Sequence, residues 1–408
     1  MESQGLNLKD NPINTELALQ KLKKYTKQLD HDSFKKRREA TRHLRRLLAD
    51  NKDDDEFVKH LQKVIDQYVV TNLLVDYGAT MEKYDRDIYD VLYFLERSYH
   101  LNFGRIAPLV FGKQSKENYN NLRKFGEGLH TRLTTEKVLD FLNPVVMWHS
   151  LLKFSDSPSC SSSEPDQIYD PRFILRLLIS VLDPGAEVSC RKFIESNGLS
   201  FAFAATSLYD KGNRALAYVI LDRLSRKLSD LSVESFSERS LYVYVLQVFR
   251  NSVEECNQKL PHVVSHFFAR VSKLLLHPED PLFKTILSFL VLKPTVELNN
   301  VPEFYKLLMS SSTEHYQKER QWILKLVAES MIEPNDYNIF QKRFGIKFCL
   351  SFFTSSLSDR DSRKYVLFIL SSSVQHSSVA HDLFYRHNLH CWIALTIQQS
   401  WLQRWESD

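Results

Sequence analysis

Two small groups of residues have the types that could ligate a metal. His262 and His266 stand four apart, so on a helix their imidazoles share one face and could supply two ligands of a zinc site. No carboxylate follows at a telling distance, and the expected reading is ordinary imidazoles on an amphipathic helix. His387, His390 and Cys391 form a second group near the C-terminal end. Their loose spacing falls short of the four ligands that close a tetrahedral site. Neither group is expected to hold a metal, and no cofactor is expected. Cys160, Cys190, Cys256, Cys349 and Cys391 are scattered singly, odd in number and without a C-x-x-C pair, so they read as free thiols. The polar stretch from Met1 to Asn11 lacks the apolar centre of a secretory signal, which predicts a reducing compartment. A Walker loop, a dinucleotide fingerprint, a nucleophile elbow and H-E-x-x-H are all missing, so the chain is not expected to be an enzyme or to take a small-molecule substrate.

The segment from Lys21 to Arg46 carries a different chemistry. Lys21, Lys23, Lys24, Lys27, Lys35, Lys36, Arg37, Arg38, Arg42, Arg45 and Arg46 are opposed only by Asp30, Asp32 and Glu39. On a helix, Lys35, Arg38, Arg42, Arg45 and Arg46 fall on one narrow face, with Ala40, Leu44, Leu47 and Leu48 opposite and Lys36 and Arg37 off the ridge. A cationic ridge on a buried apolar back can follow a phosphate backbone, and arginine's planar fork suits bidentate phosphate contacts. These five residues are the candidate nucleic-acid-binding set. The competing reading is a solvated helix face, neutralised by the acidic turn from Asp53 to Glu56. A membrane-surface helix fits less well, because the apolar face lacks large aromatics. The net charge of +4 is too small to decide the matter, so the case rests on this cluster.

The elements that would position these residues are helical. The chain has 10 glycines, roughly a third of the usual ~7%, whereas nucleotide-binding α/β folds need glycine at their strand-to-helix turns. Apolar residues recur at helical spacing in Ala18, Leu22, Tyr25, Leu29; in Phe57, Leu61, Val64, Ile65, Tyr68; and in Ile88, Leu92, Leu95, Tyr99. Asn143-Pro144 and Asp280-Pro281 look like N-caps followed by proline at the first helical position, and the acidic run from Asp53 to Glu56 suits a helix start. The Tyr- and Val-rich stretch from Leu241 to Phe249 reads as a buried helix. No run of about 18 apolar residues suggests a membrane span.

Residues 155–167, rich in Ser and Pro, read as a loop. The expected organisation is a basic amphipathic helical segment over 1–50, a helical region over 51–154, that loop, and a helical-repeat domain over 168–408. Asp210 with Arg214, Ala215 and Ala217 has the D-x-x-x-R-x-x-A start common in HEAT-type helices; Asp359 with Arg363 repeats it, and Asp280 to Leu290 is a degenerate version. In this pattern Asp caps, Arg reaches a neighbouring carboxylate and Ala allows close approach. The predicted fold is all-α, an armadillo/HEAT-like array of stacked helices (an α-solenoid).

From about residue 70 to 400 the chain resembles the C-terminal region of the nucleolar pre-ribosomal-associated family, the Urb/Npa-type factors. The stretches that carry the resemblance are Asp76-Tyr77-Gly78-Ala79-Thr80, Tyr169-Asp170-Pro171-Arg172-Phe173, Cys190-Arg191-Lys192-Phe193, Tyr209-Asp210 with Arg214-Ala215 and Ala217-Tyr218, Val301-Pro302 with Phe304-Tyr305, and Arg343 with Gly345-Ile346. The resemblance implies an armadillo-like fold, nuclear and nucleolar residence, and a scaffold role in early large (60S) subunit precursors and pre-rRNA maturation. It further implies pre-rRNA, assembly factors and an RNA helicase as partners, with no enzymatic residues to carry over. Family members extend much further on the N-terminal side. The ridge of Lys35 to Arg46 lies outside the matching stretches, so an RNA role for it rests on its chemistry alone. The alternative is a helical-repeat adaptor that binds proteins without touching RNA.

Overall fold

A computed structural model describes residues 12–52, 54–101, 111–125, 134–154, 168–232 and 234–407. Asp53 and the Ser/Pro-rich stretch 155–167 lie outside them. The described residues form 22 α-helices and no β-strand. Two compact units share the chain: residues 1–141 with 164–174, and residues 142–163 with 175–408.

The first unit holds α1 (Pro12–Gln28), α2 (Phe34–Asp50), α3 (Asp55–Val64), α4 (Gln67–Asp76), α5 (Lys83–Arg97), α6 (Gln114–Phe125) and α7 (Thr135–Asp140). Helix α2 buries Ala40, Leu44 and Leu48 of the predicted apolar face together with Thr41, leaves Leu47 half-buried, and packs on α1 and α5. Asp54 caps α3 by accepting from the Glu56 and Phe57 amides, with Asp55 and Glu56 in the first turn opposing the helix dipole. Two distant segments are then stapled together. Asp170 N donates to Ala79 O at 2.7 Å, Met81 N donates to Ile168 O at 2.8 Å, and Thr80 and Tyr169 form an isolated antiparallel bridge. The buried Asp85 carboxylate holds this turn by accepting from Gly78 N, Thr80 N and Thr80 Oγ1. These contacts stabilise Ala79 at φ 58, a left-handed conformation that costs a non-glycine residue of order 1 kcal/mol.

The division between units falls within α9 (Pro171–Val181). The second unit contains α8 (Pro144–Leu152), α10 (Cys190–Glu195), α11 (Gly198–Ala205), α12 (Lys211–Asp230), α13 (Arg239–Ser252), α14 (His262–Leu274), α15 (Phe283–Leu292) and α16 (Phe304–Leu308). It continues with α17 (Tyr316–Ser330), α18 (Pro334–Lys342), α19 (Gly345–Phe353), α20 (Arg360–Ser373), α21 (Ser377–Tyr385) and α22 (Leu389–Ser407). Asn143 Oδ1 accepts from the Val145 and Val146 amides ahead of Pro144, the predicted cap and proline start of α8. Leu241 to Phe249 lies inside α13 and buries Tyr242, Val245, Leu246, Val248 and Phe249. Asp280-Pro281 differs from its expected role. The pair forms a turn in which Asp280 accepts from Leu282 N and Phe283 N, and α15 begins two residues later.

A row runs through the second unit: α8 packs on α11, α11 on α14, α14 on α17, and α17 on α20. The member helices recur at every third position in the chain, and α10, α12, α13, α16 and α19 pack beside them. Helix α11 is buried along its whole length, and its small residues Ser200, Ala202, Ala204 and Ala205 let α14 approach closely. Ser200 Oγ donates to Ala269 O at 3.0 Å across that contact. The repeated D-x-x-x-R starts are not equivalent positions in the row, since α12 flanks it and α20 is a member. Arg214 also differs from expectation, because it donates to backbone carbonyls of Leu208, Tyr209 and Asn257 instead of to carboxylates. Both it and Arg363, which donates to Ser358 Oγ, tie down the loop entering their own helix.

Candidate nucleic-acid interface

The ridge of α2 divides by what packs against it. Lys35, Arg38 and Arg46 are exposed, whereas Arg42 and Arg45 are half-buried. Arg45 Nη1 donates to Asp87 Oδ1 at 3.2 Å, and its Nε lies 2.8 Å from Asp90 Oδ2, an ion contact without hydrogen-bond alignment. Asp87 is 6% exposed, and its Oδ2 has no hydrogen-bond partner among the described residues, so Arg45 is its counter-charge. Arg42 turns a buried Nε inward with no hydrogen-bond partner there. Lys35, Arg38 and Arg46 make no ion pair among the described residues. The acids that answer the ridge therefore come from α5, and none of Asp54, Asp55 and Glu56 pairs with it. Asp54 is engaged by the α3 amides and by Thr15 Oγ1 at 2.9 Å.

Arg37, off the ridge, is fixed by a two-point contact with Asp76: Nε to Oδ2 at 2.5 Å and Nη2 to Oδ1 at 2.9 Å. Its Nη1 donates to the carbonyls of His31 and Asp32, closing the turn before α2. The Asp76 hydrogen bond raises the Arg37 pKa further above its ordinary value. Lys36 Nζ lies 3.0 Å from His31 Nε2.

The histidine groups are built into packing. His262 is buried, with its Nδ1 3.0 Å from Asp336 Oδ2 and its amide donating to Asp336 Oδ1 at 2.9 Å. His266 is also buried, and neither ring nitrogen completes a hydrogen bond. Burial, then the neighbouring His262 and Arg270 charges, hold its pKa well below the ordinary 6.5; the Leu151 backbone opposes this weakly without reaching hydrogen-bond geometry. His387 lies against Asp382 and Gln341, and His390 stacks on Phe384 with centroids 4.1 Å apart. Among the described residues no three His, Cys, Asp or Glu side chains gather as a metal-binding group. Burial raises the Cys190 and Cys349 thiols to about 11 and about 12, so neither is a thiolate nucleophile near neutral pH. No helix among the described residues is long and apolar enough to cross a membrane.

The family model for nucleolar pre-ribosomal-associated protein 1 matches residues 199–392, within the second unit. Proteins of that name from Mus musculus and Homo sapiens are 28% and 27% identical over 345 residues or more, covering 81% of this chain. The chain is similar to the nucleolar pre-ribosomal-associated protein 1 family over these residues. It spans about 15% of the length of these relatives. A solved engineered protein aligns over 86% of the chain at 13% identity with a TM-score of 0.30, too loose a superposition to assign a repeat class.

The stretches that carry the family resemblance do structural work. Asp76 to Thr80 and Tyr169 to Phe173 are the two sides of the staple, and Tyr77 meets Phe173 edge to face at 5.1 Å. Arg172 clasps the buried Asp170 and lies over the Tyr89 ring. Phe304 packs on Phe340 at 4.9 Å, and a Cβ on Gly345 would come within 2.4 Å of that Phe340 ring, so only glycine fits without a shift. Other residues of these stretches, Tyr209 and Arg343 among them, are exposed, as are Lys35, Arg38 and Arg46 of α2.

Proposed function

We propose that this chain is a non-catalytic scaffold segment that acts in the nucleus, in nucleolar assembly of early large-subunit precursors, and contacts pre-rRNA and assembly factors. Kinship with the nucleolar pre-ribosomal-associated proteins over 81% of the chain is the observation that carries this reading. The row of stacked helices at every third position supports an armadillo-type array, whose long faces suit many partners at once, an RNA helicase among them. On α2, Lys35, Arg38 and Arg46 are the residues free to meet phosphate; Arg42 is half-buried, and Arg45 serves Asp87 and Asp90.

The test is ultraviolet crosslinking and sedimentation of the tagged chain in cells. Pre-ribosomal RNA among the crosslinked species and cofractionation with early large-subunit precursors are expected. A free pool that crosslinks no such RNA refutes the reading. In vitro, replacing Lys35, Arg38 and Arg46 by Ala should flatten the salt dependence of single-stranded RNA binding by about 2, at roughly 0.7 per lost phosphate contact.

The commitment of Arg45 to α5 shortens the ridge and favours a second reading, a protein adaptor with no RNA contact at α2. Precursor cofractionation without loss of RNA crosslinks in the triple variant would select it for this helix.

A further inference from the structure

At the start of α20 the second unit has a hollow of about 400 Å³ lined by Ser358, Arg360, Arg363, Lys364, Leu367 and Phe368. The five helical residues lie at i, i+3, i+4, i+7 and i+8, one face of the helix. No acid lines the hollow, and none of its three cations makes an ion pair among the described residues. Asp359, beside it, is engaged as the helix cap: it accepts from Ser362 N, Ser362 Oγ and Gln321 Nε2. Asp361 is exposed on α20, one residue from Arg360, and is the remaining acid of this turn.

Asp359 at the cap and Asp361 in the first turn suit the helix dipole. The three cations conflict with one another instead, since like charges at i, i+3 and i, i+4 repel. Such local conflicts concentrate at functional sites, where something else compensates them. An anion seated in the hollow would relieve this one. The hollow is also partly organised in advance. Arg363 Nε donates to Ser358 Oγ at 2.7 Å, and its guanidinium lies 5.8 Å from the centre of the Phe353 ring, leaving its other nitrogens unspent. Lys364 Nζ stands 5.6 Å from the Phe368 ring centre, and Phe368 and Leu367 are each 48% exposed.

We propose that this hollow binds the phosphates of single-stranded RNA and that Phe368 stacks an unpaired base. Charge selects a polyanion. An exposed aromatic ring next to unpaired cations is the combination that grips single strands, whereas a duplex offers no free base face to the ring. The choice of RNA rests on the pre-ribosomal reading above, while the anion chemistry rests on the hollow itself. Its residues lie in the second unit and α2 in the first, so the two can fail separately.

Anisotropy of a labelled oligouridylate with the full 408-residue chain tests it. Arg360→Ala with Lys364→Ala should weaken binding about tenfold and flatten the salt slope by about 1.4, while Tm is unchanged or higher because repulsion is removed. Phe368→Ala should weaken binding about fivefold or more with the salt slope intact. Arg38→Ala with Arg46→Ala is the control: loss there alone, with the α20 variants unaffected, overturns this proposal and leaves the α2 reading standing. Loss in the α20 variants alone does the reverse. Equal competition by polyglutamate with no effect of Phe368→Ala identifies an acidic-protein surface and overturns the RNA assignment, and duplex RNA binding as tightly as the single strand overturns the stacking.

Discussion

His266 should make the second unit lose stability as pH falls. Its ring is 1% exposed, both nitrogens lack a completed hydrogen bond, and Arg270 sits on the same helix one turn on. A protonated imidazole there would be a buried charge beside a buried cation, so the folded-state pKa is held well below 6.5. The folded chain therefore binds fewer protons than the unfolded chain, and stability present above pH 6.5 is lost below it. With the unfolded imidazole near its ordinary value and the folded ring neutral throughout, the loss between pH 7.5 and 5.5 is about 1.4 kcal/mol. All five tryptophans lie in the second unit, so their fluorescence during urea unfolding reports that unit. His266→Leu is close in volume and deletes two unsatisfied polar atoms; its stability at pH 7.5 should equal or exceed that of the parent by about 1 kcal/mol. Other titrating groups are common to both proteins, so the difference between their pH profiles isolates His266. Parallel profiles from pH 7.5 to 5.5 would refute the reasoning.

Asp336 accepts from the His262 amide, the His262 ring and the Glu333 amide, so Asp336→Ala orphans three buried or half-buried donors. Breaking such a network should cost about 3–5 kcal/mol in the same urea assay. A loss below about 1 kcal/mol would mean the pair is dispensable. Adjacent ridge residues should separate cleanly: Arg45→Ala, which leaves buried Asp87 without its counter-charge, should cost about 1–3 kcal/mol, and Arg46→Ala within about 0.5. Differential scanning fluorimetry of the two variants checks this, and equal shifts would contradict the division of the ridge. Cys256 and Cys391 are exposed, whereas Cys190 and Cys349 are buried with raised pKa values. Mass spectrometry after iodoacetamide should find the first two modified in the native protein and the last two only after unfolding.

What could be read from the residues was local. Caps are set by a side chain and the amides two or three positions on, so Asp54, Asn143, Asp210 and Asp359 mark helix starts in the sequence as in the structure. Periodicity likewise located the buried stripe of α2. A helical wheel fixes angle but not neighbour, however. Arg45 and Arg46 look alike on the ridge until α5 brings Asp87 and Asp90, some forty residues on in the chain, against the first alone. The same limit misleads the repeat reading. The D-x-x-x-R start serves the loop entering its own helix, so it recurs wherever such a loop must be tied down, in the row or beside it. It marks helix beginnings, not equivalent repeats. At α20 the D-x-x-x-R pattern singles out Arg363 alone, whereas the crowding of Arg360, Arg363 and Lys364 at i, i+3 and i+4 is equally present in the sequence. Where a sequence obeys the helix rules, structure explains it; where three cations share one helix face and make no ion pair among the described residues, the partner is sought outside the chain.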